Sequence, residues 1–384
     1  MNRIGLIASI LAFFVLETAF MHNKAYAFYD PLTRENNFYG IHILFPSELN
    51  EAATLVNSSN GQWGYVTIPI QITDRDLAKW QIFMDEAKTK KLIPIVRLAT
   101  EPYYKNTSVW RKPTEEDIID FANFLNSLDW PVENRYVIIF NEVNRFDEWG
   151  GETPDLVRYA EILDFSIKTF KDRSRDFYVI MAGLDNAAPN DGIKYIDNFT
   201  FIRKMISTNP GAVKNLDGFA SHSYPNPGFS QPPSLNGRVG TSTYKYEYEL
   251  INSVSDKKIP AFITETGWTS DSLSETTVAN YYENAYETIW EKDKDKIVAI
   301  TPFLLNSTGG MFENFSFIIN GKRTKHFEST KKISKNQGDP VEAEIKPVEK
   351  IKELVKIPKF FSKKITGDTS LTQALVTEYI RIFF

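Results

Sequence analysis

The sequence contains no cysteine, so neither a disulfide framework nor a cysteine-ligated metal site can form. It has only four histidines, and none forms the His-x-x-x-His or His-Glu spacing of a helical zinc site. Positive charge is not in excess either, because 44 Lys and Arg residues stand against 49 Asp and Glu residues, a net charge of −5. A nucleic-acid partner is therefore not expected. No metal and no organic cofactor is expected.

Residues 1–27 have the pattern of an export signal. Arg3 provides the positive start, Ile4–Leu16 forms an apolar run, and an Ala-Tyr-Ala sequence ending at Ala27 fits the small-x-small cleavage rule. The apolar run is too short to span a bilayer comfortably, so we expect cleavage and no stable membrane span afterwards. The alternative is an uncleaved N-terminal anchor. An exported protein without cysteines is typical of a bacterial secreted or cell-envelope protein.

From residue 28 to residue 335, short apolar runs alternate with segments of helical character. The predicted strands are Tyr39–Phe45, Tyr65–Gln71, Ile93–Ala99, Tyr136–Phe140, Phe177–Leu184, Gly218–Tyr224, Ala261–Glu265 and Val298–Leu305. Helices are predicted between them, with Ser47, Asp74 and Thr114 as the N-caps of the first three. Strand then helix, eight times, predicts an α/β protein with a (β/α)8 TIM barrel. An open doubly wound sheet is the alternative, but no glycine-rich phosphate loop follows the first strand.

Residues 336–384 differ from the barrel segment in composition. Asp339–Lys364 is rich in Lys, Glu and Pro and lacks a sustained apolar period, which predicts a solvated linker or tail. Leu371–Phe384 is apolar enough to dock on the barrel or to mediate a contact. We therefore expect one barrel domain, 28–335, and a charged extension, 336–384, of unassigned role.

Ionisable and polar residues stand where the predicted strands end. Strand four is followed by Asn141 and Glu142, and strand seven ends in Glu265. The carboxyl ends of all strands meet at one face of such a barrel, so the two glutamates are expected to lie close together. Two carboxyl groups across a cleft are what glycoside hydrolysis requires. Further candidates at the same face are His42, Arg97, His222, Tyr224 and Trp268.

Three motifs resemble those of the clan A glycoside hydrolases. Asn141 and Glu142 in FNEVN, with Glu265 in ITETGW, resemble the strand-four and strand-seven residues of the clan. His222 and Tyr224 in SHSYP resemble the strand-six pair of the family 5 cellulase-like members, whereas ETGW resembles the strand-seven motif of family 17 β-1,3-glucanases. The resemblance covers about Phe38 to Ser334 and leaves the individual family open.

The resemblance implies a retaining glycosidase that acts on a β-linked oligo- or polysaccharide without a cofactor. Glu142 would be the general acid/base and Glu265 the nucleophile, in a double displacement. The implied supporting roles are hydrogen bonding of the sugar 2-hydroxyl by Asn141, orientation of Glu265 by Tyr224 or Arg97, and placement of His222 beside the acid/base. His42 and Trp268 are further candidates for substrate binding, the latter by stacking on a sugar ring.

The sequence also departs from the clan pattern. Phe303 or Leu304 occupies the end of strand eight, where many clan members have a tryptophan under the sugar. Arg97 on strand three and Gln71 on strand two stand where family 5 members usually have His and Arg. Glu148, in the loop after strand four, is expected to be solvated. Two alternatives stay open: a non-catalytic barrel that binds glycan or an envelope component, and a transglycosylase that uses the same glutamates.

Overall fold

The computed structural model describes residues 28–103, 106–235 and 237–343. The predicted export signal, 1–27, and the apolar segment Leu371–Phe384 lie outside these ranges. Within them, no helix combines the length and the apolar character that a membrane crossing requires.

In the described part of the chain, eight parallel strands form a closed barrel. They are β1 Gly40–His42, β2 Gly64–Gln71, β3 Leu92–Ala99, β4 Arg135–Ile139, β5 Phe177–Met181, β6 Gly218–His222, β7 Ala261–Glu265 and β8 Ile297–Ile300. Each strand pairs with the next along the chain, and a parallel bridge between Tyr39 and Ile300 joins the last strand to the first. Every observed strand overlaps its predicted range. The predicted (β/α)8 barrel is therefore confirmed.

Helices follow the strands and cover the outside of the barrel. They are α1 Leu49–Val56, α2 Leu77–Thr89, α3 Glu115–Ser127, α4 Leu156–Arg173, α5 Asn198–Thr208, α6 Pro210–Lys214, α7 Thr243–Asn252, α8 Glu275–Asn284 and α9 Lys325–Lys332. Helix α8 continues into a π-helical turn, Ala285–Trp290.

The side chains at the helix starts test the three predicted N-caps. Thr114 is confirmed, since its hydroxyl accepts a hydrogen bond from a first-turn N–H of α3. The prediction of Asp74 as an N-cap is wrong, because α2 begins later and the carboxylate of Asp76 accepts the hydrogen bond from the Lys79 N–H instead. The prediction of Ser47 is also wrong, because this residue lies inside a 3-10 turn that precedes α1. A run of polar residues before a helix contains several possible caps, and the sequence does not distinguish them.

The strands are buried on both faces, as expected for a parallel barrel. One set of alternating residues fills the interior, where the ring of Tyr136 lies 5.0 Å from that of Tyr178 and 5.6 Å from that of Phe262. The other set, which includes Val137 and Val179, packs beneath the helices. Because side chains fill the interior, the functional residues are confined to the strand ends.

Two connections at the carboxyl end of the barrel contain hairpins that the sequence reading missed. One follows β3 and pairs Pro102–Tyr103 with Asn106–Trp110, and the other follows β8. The first hairpin lies against the loop after β4, where the Gly150 N–H donates to the Trp110 carbonyl at 2.9 Å. This contact fixes the loop that carries Glu148.

Residues 336–343 pack against the barrel and are not part of a solvated tail. Gln337 forms a parallel bridge with Gln62, and Glu342 forms an antiparallel bridge with Val132. The described barrel unit extends to residue 343, beyond the predicted boundary at residue 335. Backbone pairing needs no apolar side chain, which is why the polar composition of this segment was misleading.

Candidate active site

Glu142 and Glu265 lie together at the carboxyl end of the barrel. A carboxylate oxygen from each, and a ring nitrogen of His222, lie within 4.8 Å of one another. Glu265 is the last residue of β7, whereas Glu142 stands in the loop after β4. The backbone there is left-handed at Phe140, with φ 69°, and at Glu142, with φ 35°. Such conformations cost about 1–3 kcal/mol in residues other than glycine and are frequent at functional sites.

Glu265 is held as a carboxylate by the groups around it. Its Oε1 lies 2.5 Å from Nη1 of Arg97, and its Oε2 accepts the hydroxyl of Tyr224 at 3.0 Å. Burial alone would raise the pKa of Glu265, but the positive charges of His222 and Arg97 and the hydroxyl of Tyr224 hold that pKa well below its usual range. Both predicted orienting residues thus contact this carboxylate.

Glu142 has the opposite electrostatic environment. Its Oε1 lies 2.9 Å from Nδ1 of His222, and its Oε2 lies 3.6 Å from Nε of Arg145. Burial raises the pKa of Glu142, and the hydrogen bond with His222 opposes this increase without cancelling it. One carboxyl of the pair is thereby kept ionised while the other tends to retain its proton. This division is how two carboxyl groups take different roles in one site.

The buried ring of His222 lies close to both carboxyl groups. Its Nδ1 is 2.9 Å from Glu142 and 3.7 Å from Oε2 of Glu265, and the residue is only 1% exposed. Burial would lower the pKa of His222, but the two neighbouring carboxylates raise it. Gly183, two residues beyond β5, makes room for the ring, because a Cβ there would lie 2.2–2.3 Å from imidazole atoms. No local sequence pattern marks Gly183 as a residue of the site.

A hydrogen-bonded chain runs from Glu265 to a third carboxyl group. Nη1 of Arg97 also donates to Oδ1 of Asn141 at 2.7 Å, and Nδ2 of Asn141 donates to Oε1 of Glu148 at 2.9 Å. Glu148 is half-buried, and burial raises its pKa to about 7 although the Asn141 hydrogen bond opposes that rise. The expectation that Glu148 is solvated is therefore wrong. The hairpin after β3, which the sequence reading missed, covers this loop.

Two predicted substrate contacts are corrected by their burial. Trp268 is 1% exposed, its indole N–H donates to the Gln231 carbonyl at 2.8 Å, and its ring packs against Tyr282. His42 is fully buried, with Nε2 4.0 Å from Oε1 of Glu265, and burial together with the charge of Arg97 lowers its pKa to about 3. Neither ring has surface left for a sugar, so Trp268 is a core residue and a neutral His42 lies beneath Glu265.

An aromatic wall borders Glu265 on the side of β6 and β8. We use this name for Tyr224, Phe229, Phe303, Phe312 and Phe315. The ring of Phe303 lies 5.1 Å from that of His42 and 5.1 Å from that of Phe312, which is 40% exposed. The wall therefore extends from the buried site to the surface. Phe303 stands at the predicted position of the missing tryptophan, but it is 8% exposed and packs against other rings, so Phe312 is the more accessible ring of the wall.

The same three side chains, Glu142, His222 and Glu265, are the described His and acid residues whose spacing could hold a metal ion. The surrounding charge opposes a cation there. Arg97 lies 2.5 Å from Glu265, and Nδ1 of His222 is already bonded to Glu142. The arrangement is that of a carboxyl pair with positively charged supports.

No protein-family model and no curated protein matches this sequence, but solved structures match its fold. Similar structures include a family 39 glycoside hydrolase from Bacteroides cellulosilyticus WH2, with 15% identity, a TM-score of 0.54 and coverage of 79% of this chain and 64% of that chain. A β-xylosidase from Caulobacter crescentus CB15 has 14% identity and a TM-score of 0.52, over 78% of this chain and 69% of that one. An endo-β-1,4-glucanase from Xanthomonas axonopodis pv. citri has 14% identity and a TM-score of 0.51, over 78% and 99%.

These likenesses define the class of fold. The chain has a (β/α)8 barrel similar to the folds of these three glycoside hydrolases, and the likeness shows the fold alone. It spans about two thirds of the family 39 structure, at 64% of that chain.

Proposed function

We propose that this protein is a retaining glycoside hydrolase that cleaves a β-linked saccharide through a covalent glycosyl-enzyme. The observation that carries the proposal is the pair of carboxyl groups, with oxygens within 4.8 Å and pKa values displaced in opposite directions. Carboxyl groups about 5–5.5 Å apart are typical of retaining enzymes, whereas inverting enzymes separate them by about 6.5–9.5 Å. The short separation supports attack by a carboxylate over attack by an interposed water.

In the first step, the Glu265 carboxylate attacks the anomeric carbon as the bond to the leaving oxygen breaks. Glu142 gives its proton to that oxygen, so the leaving group departs as a neutral alcohol. The hydrogen bonds from Arg97 and Tyr224 fix the plane of the Glu265 carboxylate before the substrate arrives. A nucleophile held in this way loses little conformational freedom at the transition state.

In the second step, Glu142 is a carboxylate and takes a proton from water. The water oxygen bonds to the anomeric carbon, the bond to Glu265 breaks, and the product has the configuration of the substrate. The cationic ring of His222, 2.9 Å from Oε1, stabilises Glu142 in this ionised form. His222 thereby supports both halves of the cycle, in which Glu142 alternates between acid and base.

In this proposal the sugar ring lies between Asn141 and the aromatic wall. Asn141 has a second amide N–H beyond the one given to Glu148, and that donor is available to a 2-hydroxyl group. Two similar structures are a β-xylosidase and an endo-β-1,4-glucanase by name, which supports a β-linked saccharide as substrate. With the export pattern of residues 1–27, we place the reaction in the cell envelope or outside the cell.

The test is a screen of β-linked oligosaccharides and aryl β-glycosides with the wild type and three variants. Glu142→Ala and Glu265→Ala should each abolish turnover, whereas Glu152→Gln, at an exposed carboxylate paired with Lys112, should not. Product analysis separates transfer to water from transfer to a second sugar. Wild-type rates in both alanine variants would contradict the proposal, and binding without turnover by the wild type would favour a glycan-binding barrel.

A further inference from the structure

Glu148 differs from the other acidic residues of its neighbourhood because it forms no ion pair with any residue that the structure describes. Asp147 is paired with Arg145, Glu101 with Arg111, and Glu152 with Lys112. Among the described residues, no lysine or arginine forms an ion pair with Glu148. Its one hydrogen bond there is from Asn141 to Oε1, and Oε2 has no partner among the described residues. A half-buried carboxyl that the fold does not neutralise is costly to maintain.

The arrangement next to Asn141 gives this carboxyl a use. The amide oxygen of Asn141 accepts a hydrogen bond from Arg97, and one of its two amide N–H groups donates to Glu148. These two bonds fix the Asn141 side chain and leave its second N–H as a donor. That donor and the Oε2 acceptor belong to two side chains that are joined by a hydrogen bond, and Asn141 directly precedes the acid/base residue in the chain. An adjacent donor and acceptor match two neighbouring hydroxyl groups of a pyranose, one accepting and one donating.

We propose that Glu148 is a specificity-determining residue, which binds one of two neighbouring hydroxyl groups of a neutral sugar while Asn141 binds the other. The inference rests on the proposed function, because it takes the cleft beside Glu142 as a sugar site. It also predicts which sugars are rejected. Arg97 offsets the charge of an ionised Glu148 only in part, and Glu142 and Asp147 add negative charge beside it, so a glycone that bears its own carboxylate is repelled and uronic acid residues are disfavoured at this position.

The charge of Glu148 makes binding depend on pH in a defined direction. Its pKa is raised to about 7, so it gains negative charge as the pH increases from 6 to 8. A carboxylate accepts a stronger hydrogen bond from a hydroxyl group than a neutral acid does. KM for a neutral substrate should therefore decrease across this range, whatever the pH dependence of kcat.

The experiment compares a β-glucoside with the matching β-glucuronide in the wild type, Glu148→Gln and the control Glu152→Gln. Loss of one charged hydrogen bond should raise KM for the neutral substrate about tenfold in Glu148→Gln, with kcat changed less than about threefold. The decrease in KM between pH 6 and 8 should disappear, and the discrimination against the glucuronide should become smaller. Glu152→Gln should keep wild-type values for all three quantities.

An unchanged KM and pH profile in Glu148→Gln would overturn the inference. A decrease confined to kcat would also overturn the inference, since a residue that only supports Asn141 would change kcat and not KM. If the wild type turns over neither substrate, the proposed function fails separately, and calorimetric binding of neutral and uronic oligosaccharides to the wild type and Glu148→Gln replaces kinetics. Weaker binding of the neutral sugar by the variant would then still support the inference, and equal binding would refute it.

Discussion

The Nδ1 atom of His222 lies 2.9 Å from Oε1 of Glu142, in a ring that is almost wholly buried beneath the two glutamates. Because the ring also lies 3.7 Å from Glu265, a positive charge on the ring stabilises the ionised form of both carboxyl groups. Glu142 and His222 therefore titrate as a pair, and the loss of a proton from this pair should set the alkaline limit of activity.

His222→Gln should move that alkaline limb to higher pH. The hydrogen bond and positive charge of His222 lower the pKa of Glu142, so their removal lets Glu142 keep its proton to higher pH. At the same time kcat should decrease about tenfold or more, because the ionised Glu142 of the second step loses its stabilising charge. The measurement is kcat/KM and kcat from pH 4 to 9. A limb that stays in place, or moves to lower pH, would contradict this account of His222.

Tyr224→Phe should act on the acidic limb. The hydroxyl donates to Oε2 of Glu265 at 3.0 Å and helps to hold its pKa low, so its loss raises that pKa. Activity requires ionised Glu265, and the acidic limb should therefore move to higher pH. A hydrogen bond to a charged group contributes about 1.5–3 kcal/mol, which predicts a ten- to hundredfold decrease in kcat/KM. The control is Tyr246→Phe, at a residue that is 37% exposed, which should change neither quantity.

Gly183→Ala should disturb the site without touching a carboxyl group. The added Cβ would lie 2.2–2.3 Å from atoms of the His222 ring, so the imidazole must leave the position in which it contacts Glu142. We expect a loss of about 1–3 kcal/mol in the free energy of unfolding and a decrease in kcat. Denaturant unfolding and steady-state kinetics measure the two effects. Gly237→Ala, where a Cβ meets no atom within 4 Å, is the matched control, and equal effects in both variants would refute the packing argument.

Glu247→Gln should stabilise the protein far more at pH 8 than at pH 5. Glu247 is 1% exposed, it accepts a hydrogen bond from Asn198 at 3.0 Å, and burial raises its pKa from 4.5 to about 7. The folded state thus keeps a proton that the unfolded chain releases, so stability falls as the pH rises from 4.5 to 7 and stays lower above. The variant should gain on the order of 3 kcal/mol at pH 8 and less than about 1 kcal/mol at pH 5. Urea unfolding at both pH values measures this, and an equal change at both would contradict it.

The barrel and the glutamate pair could be predicted because both follow from short-range patterns. Alternating apolar runs identify strands, and residues that follow parallel strands must meet at one face of the barrel. That rule brings Glu142 and Glu265 together across more than a hundred residues of sequence. His222 and Tyr224 follow from the same rule, since they stand at and beyond the end of β6.

The residues that were misjudged depend on contacts between separate loops. Trp268 lies just beyond a strand end, but the residues of α8 cover it, and no local pattern records that burial. Glu148 looks like an ordinary loop acid until the hairpin after β3 is placed over it. Gly183 matters because the His222 ring, from the neighbouring strand β6, packs directly against it. Side-chain burial at strand ends is a tertiary property, and the sequence limits it only weakly.

The measurement that tests the central claim most directly is the product formed by Glu265→Ala in the presence of azide. Alanine removes the nucleophile and leaves space for a small anion on the same face of the sugar, while Glu142 can still protonate the leaving group. The account predicts that azide restores turnover of an activated β-glycoside and that proton NMR identifies an α-glycosyl azide. The assignment of Glu265 as the nucleophile would be contradicted if this variant formed a β-glycosyl azide. It would also be contradicted if the variant, without azide, turned over substrate at the wild-type rate.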